Sequence, residues 1–591
     1  GDRGNTLLAI MEETDTAPGA RLLRDWLQHP LKVAESIDRR LRAVSDLLED
    51  SARRQRLRRE LRGIHDLERL LGRAALGTAN PRDLIMLRDS LGHLPAVRQQ
   101  LEEAHASLLA EARDEIDPMQ DLRELIAAAL CDEPPTNLRE GGLLRDGYDA
   151  EADELRRLQR DARETLAALE ARERQRTGIS SLKVRYNRVF GYYIEVSRTH
   201  LERVPTDYQR RQTLTGAERF ITPELKQYEE KILNAEERLH ELEYERFVEL
   251  REKVVAATAR LRATAQAVAR VDVLAGLAEL AARRAYCRPH VDSGGGIEIR
   301  DGRHPVVEVL RPEDPFVPND TRLDRDAEQI VILTGPNMGG KSTYLRQVAL
   351  IVLMAQSGSF VPASEARIGV IDKIFCRVGA SDSLARGQST FLVEMQETAN
   401  ILHNATPASL VLLDEVGRGT STFDGLSLAW AVVEYLHEQA RVQAVTLFAT
   451  HYHELTDLAR LWPRVRNYRL SVREWQDKVV FLRRVEAGAS DRSYGIHVAR
   501  LAGVPPEVIE RAREILRNLE SQEYTPEGLP RAGRSARPRT QQRPLPLLIE
   551  DAAADPILER LRGLEPEHLT PIEALAVLDE LVRKVRERQK N

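Results

Sequence analysis

The sequence predicts an α+α/β multidomain chain: a mostly helical part with long coiled arms and a small β-containing tip, then a P-loop domain on a mostly parallel sheet. Three observations predict it. Two long charged stretches with helical seams bracket a basic, β-like piece. A glycine-rich loop, Gly335-Pro-Asn-Met-Gly-Gly-Lys341-Ser342, follows directly on the apolar run at residues 330–333. Two more short apolar runs, 409–413 and 445–449, lead into Asp414-Glu415 and Thr450-His451. A chain of 591 residues, 42% hydrophobic, is long enough for several cores of this kind.

The first arm spans residues 150–174, where Leu155, Leu158, Ala162, Leu166 and Leu169 recur at the three- and four-residue steps of a helix seam. A second seam opens near Thr222 and runs through Leu225, Tyr228, Ile232, Ala235, Leu239 and Leu242, with a phase slip before Phe247. Between them, residues 182–196 change to strand-forming Val, Phe, Tyr and Ile. Lys183, Arg185, Asn187 and Arg188 lie here, with Arg198 close by. An arm of about 25 residues, rising ~1.5 Å per residue, carries this tip on the order of 40 Å from its root. Basic side chains so placed suit contact with the phosphates of a duplex without reading its bases, although they equally suit the solvation of a protruding hairpin.

The loop at 335–342 fits G-x-x-x-x-G-K-[ST] in the strand-to-helix context that gives the pattern meaning. Gly335, Gly339 and Gly340 let backbone N–H groups curl around phosphate oxygens, with Pro336, Asn337, Met338 and Thr343 completing the cradle. Lys341 reaches the outer phosphates and the Ser342 hydroxyl is a Mg²⁺ ligand, so a nucleoside triphosphate with Mg²⁺ is expected. The run ending in Asp414-Glu415 reads as a buried parallel strand with a metal carboxylate, Asp414, and a water-polarising one, Glu415. His451, at the end of the next strand, is placed to sense a γ-phosphate, or to serve as a structural histidine.

Composition narrows the class. Cys131, Cys287 and Cys376 are isolated and offer neither a disulfide framework nor a zinc site, which points to a reducing, cytoplasmic setting. The apolar stretch at 348–355 is far short of the roughly 20 residues that span a bilayer, so no membrane is expected as partner. A net charge of −6 gives no global attraction to nucleic acid, so any DNA contact must use local basic surface.

At the level of longer words, four strings resemble the DNA mismatch repair ATPase family MutS: residues 334–344 (TGPNMGGKSTY), 388–395 (QSTFLVEM), 412–425 (LLDEVGRGTSTFDG) and 449–452 (ATHY). Residues 21–30, 182–197, 210–214 and 493–498 are similar to its lever, clamp and carboxyl-terminal parts. The resemblance implies a helical lever and core at 1–160, a clamp at 161–222, a second lever part at 223–288 and an ABC-type P-loop ATPase domain at 289–520. Within the last, residues 493–517 read as two helices around a tight turn, which the resemblance assigns to dimerisation rather than groove binding. Residues 521–549, rich in Pro, Gly, Arg and Gln, read as a flexible linker. Residues 550–591 read as a helical oligomerisation segment, with Thr570-Pro-Ile-Glu573 in the form of a capping box.

The resemblance also implies that Ser389 completes the nucleotide site of the opposite subunit, although it reads equally as the N-cap of its own helix. It implies that Phe316 stacks on adenine, that double-stranded DNA, a second copy of the chain in a dimer or tetramer, and a MutL-type repair protein are the partners, and that hydrolysis of ATP to ADP switches a DNA clamp. A junction-binding clamp with nucleotide as a conformational ligand is the alternative. A transporter ATPase is disfavoured by the long arms and by the lack of a Leu-Ser-Gly-Gly-Gln signature. The chain enters at what resembles the lever, so the mismatch-reading and connector domains are expected to be missing. Phe247-Val-Glu249 then reads as seam rather than wedge, and base-specific mismatch recognition is expected to be lost.

Overall fold

The computed structural model describes residues 3–520 except 139, 188–190, 214–215, 337–338, 379–388, 476–477 and 490–494, together with 582 and 583. The first compact unit runs from Gly1 to Gly503. Its helical part is organised around Thr258–Arg284, against which Ala17–Gln28, Ala34–Glu49, Ser51–Leu61, Leu67–Ala75 and Ser107–Glu115 all pack. That helix is rich in Ala, Val and Leu and buried over most of its circumference, as a helix without a polar face must be. Its one buried acid, Asp272, accepts the N–H groups of Asp15 and Thr16 and the Thr16 hydroxyl, while Thr16 caps the helix Ala17–Gln28 through Gly19 N–H. Burial pushes the Asp272 carboxyl up to about 6 against those donors.

Both arms are present. Asp149 caps Ala150–Thr177, and Gly178, in the left-handed region, closes it; Thr222 caps Pro223–Ala256 with Pro at the first turn. The second seam holds as expected: Leu225, Ile232, Ala235, Leu239, Leu242 and Phe247 are buried, and Phe247 is fully so. The first seam needs a correction, because Leu158 is 52% exposed while Leu166 and Leu169 are buried. That arm is buried at its root, through Ala152, and again farther out, where Leu166 and Leu169 pack with the tip, and Leu158 lies in the uncovered stretch between. At the root, the fully buried Glu243 accepts Arg156 at 2.7 Å and Leu143 N–H at 3.3 Å, cross-linking the two arms.

Among the described residues, fourteen strands form three sheets. β1 (Lys183–Asn187), β2 (Gly191–Ser197), β3 (Gln209–Thr213) and β4 (Ala217–Ile221) make the antiparallel tip, in the order β1-β2-β4-β3. Its apolar face, Ile194, Val196 and Phe220, packs with Leu166, Leu169, Leu225 and Ile232 of the arms. β5 (His290–Asp292), β6 (Ile297–Gly302), β7 (Asn319–Leu323) and β9 (Glu365–Gly369) form a second sheet ordered β5-β9-β6-β7, and β8 (Ile330–Thr334) belongs to the third. The third sheet adds β10 (Ile374–Arg377), β11 (Leu410–Asp414), β12 (Val445–Ala449), β13 (Val465–Trp475) and β14 (Lys478–Ala487), in the order β10-β11-β12-β8-β13-β14. It is parallel except for the β13–β14 hairpin. β8, β11 and β12 are buried at every position, which is why their sequences are uninterrupted apolar runs.

The second helix of the expected pair, Pro506–Glu520, lies in a unit that begins at Val504; the first is Gly495–Leu501. Of the sequence expectations, the linker, the capping box at Thr570 and the loop residues Asn337, Met338 and Arg188 lie outside the described residues. Among the described residues no helix is long and apolar enough to cross a membrane.

Candidate nucleotide site

The parallel register of β8, β11 and β12 sets Leu333, Leu413-Asp414 and Phe448-Ala449 side by side, so the segments leaving these strands converge at one edge of the sheet. This is where doubly wound sheets hold ligands. From β8 the chain turns through the loop into the helix Lys341–Gln356, whose N-cap is Gly340 at φ +106, a conformation that glycine adopts without a Cβ penalty. The free N–H groups of that helix start point at the same edge.

Lys341 is 5% exposed, and its ammonium donates to the carbonyls of Gly335 at 2.8 Å and Pro336 at 3.3 Å. It also stands 3.1 Å from His451 Nε2, which in turn stands 2.9 Å from Glu415 Oε1. Burial pushes the Lys341 ammonium down to about 8, opposed by the charges of Glu415 and Asp414. The contact with His451, aided by Arg418 and Lys341, holds the Glu415 carboxyl below its usual range although burial opposes it. Arg418 grips the other oxygen of Glu415 at 2.5 Å.

Glu415 has φ +59, a left-handed conformation that costs a non-glycine residue and persists only where its surroundings impose it. Its N–H is fixed to Ala449 O at 2.9 Å. Asp414, one residue earlier, is 5% exposed, and its Oδ1 is buried with no hydrogen-bond partner among the described residues. Burial raises its pKa, with a Ser342 hydrogen bond pulling the other way. A buried orphan carboxylate oxygen beside a hydroxyl is the donor set that a Mg²⁺-type cation takes together with phosphate oxygens. Lys341, His451 and Glu415 together bring a cation, an imidazole and a carboxylate within hydrogen-bonding reach of one another.

Ser389 is exposed at the start of the helix Thr390–Asn404 and makes no side-chain cap bond to it, so its hydroxyl is not spent on its own helix. Ser389 does occupy the N-cap position, its carbonyl accepting Val393 N–H at 3.2 Å, but it caps without its side chain. Phe316 sits half-buried in the loop before β7; Asp314 meets Arg483 at 2.7 Å and Asn319 bonds Arg483 O and Val485 N–H, which pins that loop to β14. At the tip, Lys183, Arg185 and Asn187 share one face of β1, and Lys183 and Arg185 are exposed. Arg185 lies 3.8 Å from Glu195, so its charge is partly offset from within the sheet. Sequence reasoning did not find Arg418, Glu394, Arg377 or Tyr452, which all bear on the turn after β11. Glu394, Arg418 and Tyr452 lie within the strings at 388–395, 412–425 and 449–452, but nothing in those strings tells that the three converge, and Arg377 lies outside them altogether.

Residues 1–278 match the family described as MutS domain III and residues 331–520 the one described as MutS domain V. The chain is 52% identical over 587 residues to the DNA mismatch repair protein MutS of Symbiobacterium thermophilum, covering 99% of this chain and 67% of that protein. The chain belongs to the DNA mismatch repair MutS family. It is likewise 49% identical over 588 residues to the MutS of Ruminiclostridium cellulolyticum, covering 99% of this chain and 67% of that one. With the MutS of Anaeromyxobacter dehalogenans it shares 52% identity over 593 residues, 98% of this chain and 67% of that relative. The chain thus spans about two thirds of the length of these MutS relatives.

Proposed function

We propose that this chain hydrolyses ATP to ADP and uses the cycle to switch a dimeric clamp on double-stranded DNA, as a mismatch repair ATPase. The observation that carries this reading is the approach of the half-buried His451 and Glu415 to the buried Lys341, beside an Asp414 Oδ1 with no hydrogen-bond partner among the described residues. Backbone N–H groups of the loop at 335–340, Pro336 excepted since it has none, and of Thr343 cradle the phosphates, and Lys341 leaves the loop carbonyls for the outer phosphates. Ser342 and Asp414 would hold Mg²⁺, which would supply neutralisation of phosphate charge there. Glu415 orients and deprotonates the attacking water, and His451 holds its carboxylate and reads the γ-phosphate. Ser389 contacts the γ-phosphate bound by a second copy of the chain, and Phe316 stacks on the adenine.

The tip supplies the grip. Lys183, Arg185 and Asn187 face duplex phosphates from arm helices of about 42 and 51 Å, on ~1.5 Å rise per residue, and Arg188, outside the described residues, is assigned to the same contact. Phosphate contacts of this kind do not read sequence, so homoduplex and mismatched DNA are gripped alike. A MutL-type repair protein is the downstream partner, and the nucleoid-bearing cytoplasm the setting. The test is binding of the full chain to homoduplex, single-mismatch and four-way-junction DNA, without nucleotide, with ADP and with a non-hydrolysable ATP analogue, at two salt concentrations. Equal, salt-steep binding to homoduplex and mismatch that changes with nucleotide is expected. A strong junction preference that ignores nucleotide would overturn the reading.

A further inference from the structure

The backbone of Gly417, two residues beyond Glu415, is held at both polar ends. Its N–H donates to Glu394 Oε1 at 2.5 Å, and its carbonyl accepts the Tyr452 hydroxyl at 3.0 Å. Gly417 has φ +94, and a Cβ there would fall 2.5 Å from Gly425 O. Gly425 is as tightly set, since a Cβ on it would meet Gly417 O at 2.1 Å and the Tyr452 hydroxyl at 2.3 Å. The turn therefore leaves no room for a side chain on either glycine.

The two grips come from different elements. Glu394 stands on Thr390–Asn404, the helix that opens at Ser389, and is 5% exposed. Its other oxygen meets Arg377, at the end of β10, at 3.2 Å. Tyr452 follows His451 directly. As a stabilising device the Arg377–Glu394 pair is poor: Arg377 Nη1 is buried with no hydrogen-bond partner among the described residues, and buried pairs often do no better than apolar packing. What the pair supplies is a fixed direction for the Glu394 carboxylate. The bond from Glu415 N–H to Ala449 O and the two grips on Gly417 tether the strained Glu415 backbone on either side.

We propose that Glu394 and Tyr452 are positioning residues for hydrolysis, which fix the Gly417 peptide and thereby aim the Glu415 carboxylate. This rests on the reading of Glu415 as the residue that activates water. Because Glu394 rides on the helix that begins at Ser389, the aim of Glu415 in one site is tied mechanically to what Ser389 touches. The proposed trans contact of Ser389 and the cis action of Glu415 are then coupled through one buried carboxylate.

The test uses the full chain with Tyr452→Phe, Glu394→Ala and Glu394→Gln, each alone and Tyr452→Phe also in a Glu415→Gln background. Nucleotide stoichiometry and affinity, kcat and KM for ATP, and hydrogen exchange across the peptide containing Gly417 are read together. Tyr452→Phe is expected to bind nucleotide normally with KM unmoved while kcat falls about tenfold, the scale of one ordinary hydrogen bond. Glu394→Ala is expected to lose roughly 30- to 100-fold, a charged acceptor being worth more, with Glu394→Gln recovering most of it through its amide oxygen. Exchange at Gly417 quickens in Tyr452→Phe and Glu394→Ala. Adding Tyr452→Phe to Glu415→Gln leaves the residual rate unchanged, as residues acting through one group are non-additive. Rates that multiply in the double variant, or activity lost only in proportion to lost nucleotide sites, would overturn the proposal. A wild-type chain that binds ATP without turning it over refutes the role of Glu415 instead, and unchanged exchange at Gly417 then overturns the positioning claim on its own.

Discussion

Nucleotide binding should draw a proton onto Lys341. In the nucleotide-free chain its ammonium is pushed down from 10.5 to about 8 by burial, against the opposing charges of Glu415 and Asp414. Phosphate oxygens restore a strong preference for the charged form, so the bound lysine is protonated across the neutral and mildly alkaline range. The free lysine lacks about 0.1 proton at pH 7, about half at pH 8 and about 0.9 at pH 9, and binding takes up that amount. Affinity accordingly weakens about tenfold between pH 7 and pH 9, one pKa unit being worth ~1.4 kcal/mol. Stability of the free chain moves the other way: between about 8 and 10.5 the unfolded chain holds the proton that the folded one has lost, so stability rises with pH through that window. The assay is calorimetric titration with ADP at pH 7, 8 and 9 in two buffers of different ionisation enthalpy, repeated on Lys341→Arg, whose guanidinium stays charged. No uptake at pH 9, or the same uptake in Lys341→Arg, would refute the reasoning.

Other perturbations reach other parts of the account. Phe247→Ala, at a fully buried position in the second arm, should cost about 3–5 kcal/mol in urea unfolding, and a loss under 1 kcal/mol would mean that the arm root is not packed as described. Lys183→Ala and Arg185→Ala should each lower the salt slope of duplex binding by about one and weaken homoduplex and mismatched DNA equally. A smaller effect for Arg185, which shares its charge with Glu195 at 3.8 Å, fits the geometry. Gly417→Ala, with its Cβ 2.5 Å from Gly425 O, should bind nucleotide and lose hydrolysis more heavily than Tyr452→Phe; normal kcat would show that the turn yields without consequence.

What the sequence disclosed was whatever rests on local spacing. The loop at 335–342 and the apolar runs of β8, β11 and β12 are contiguous words, and the buried face of Pro223–Ala256 follows a helical period from Leu225 to Leu242, about five turns, before the slip at Phe247. The same reasoning overreached at Leu158, which keeps the period but is 52% exposed, because periodicity gives a face and not the length over which a partner covers it. The second sheet, in which β9 lies between β5 and β6, depends on pairings far apart in sequence that no local pattern encodes. The same holds for the turn after β11. Glu394, Arg377 and Tyr452 come from three separate segments, and nothing in their neighbours announces that one peptide joins them. Arg418 is three residues from Glu415, yet only the fold shows its guanidinium on that carboxylate.

The most direct test of the central claim is a single-turnover experiment with chain in excess over labelled ATP, on homoduplex DNA, comparing wild type with Glu415→Gln. The account predicts that both bind ATP, that only the wild type forms ADP at an appreciable rate, and that the variant stays in the ATP-bound state of its DNA grip. ADP formation at the same rate in both would contradict it.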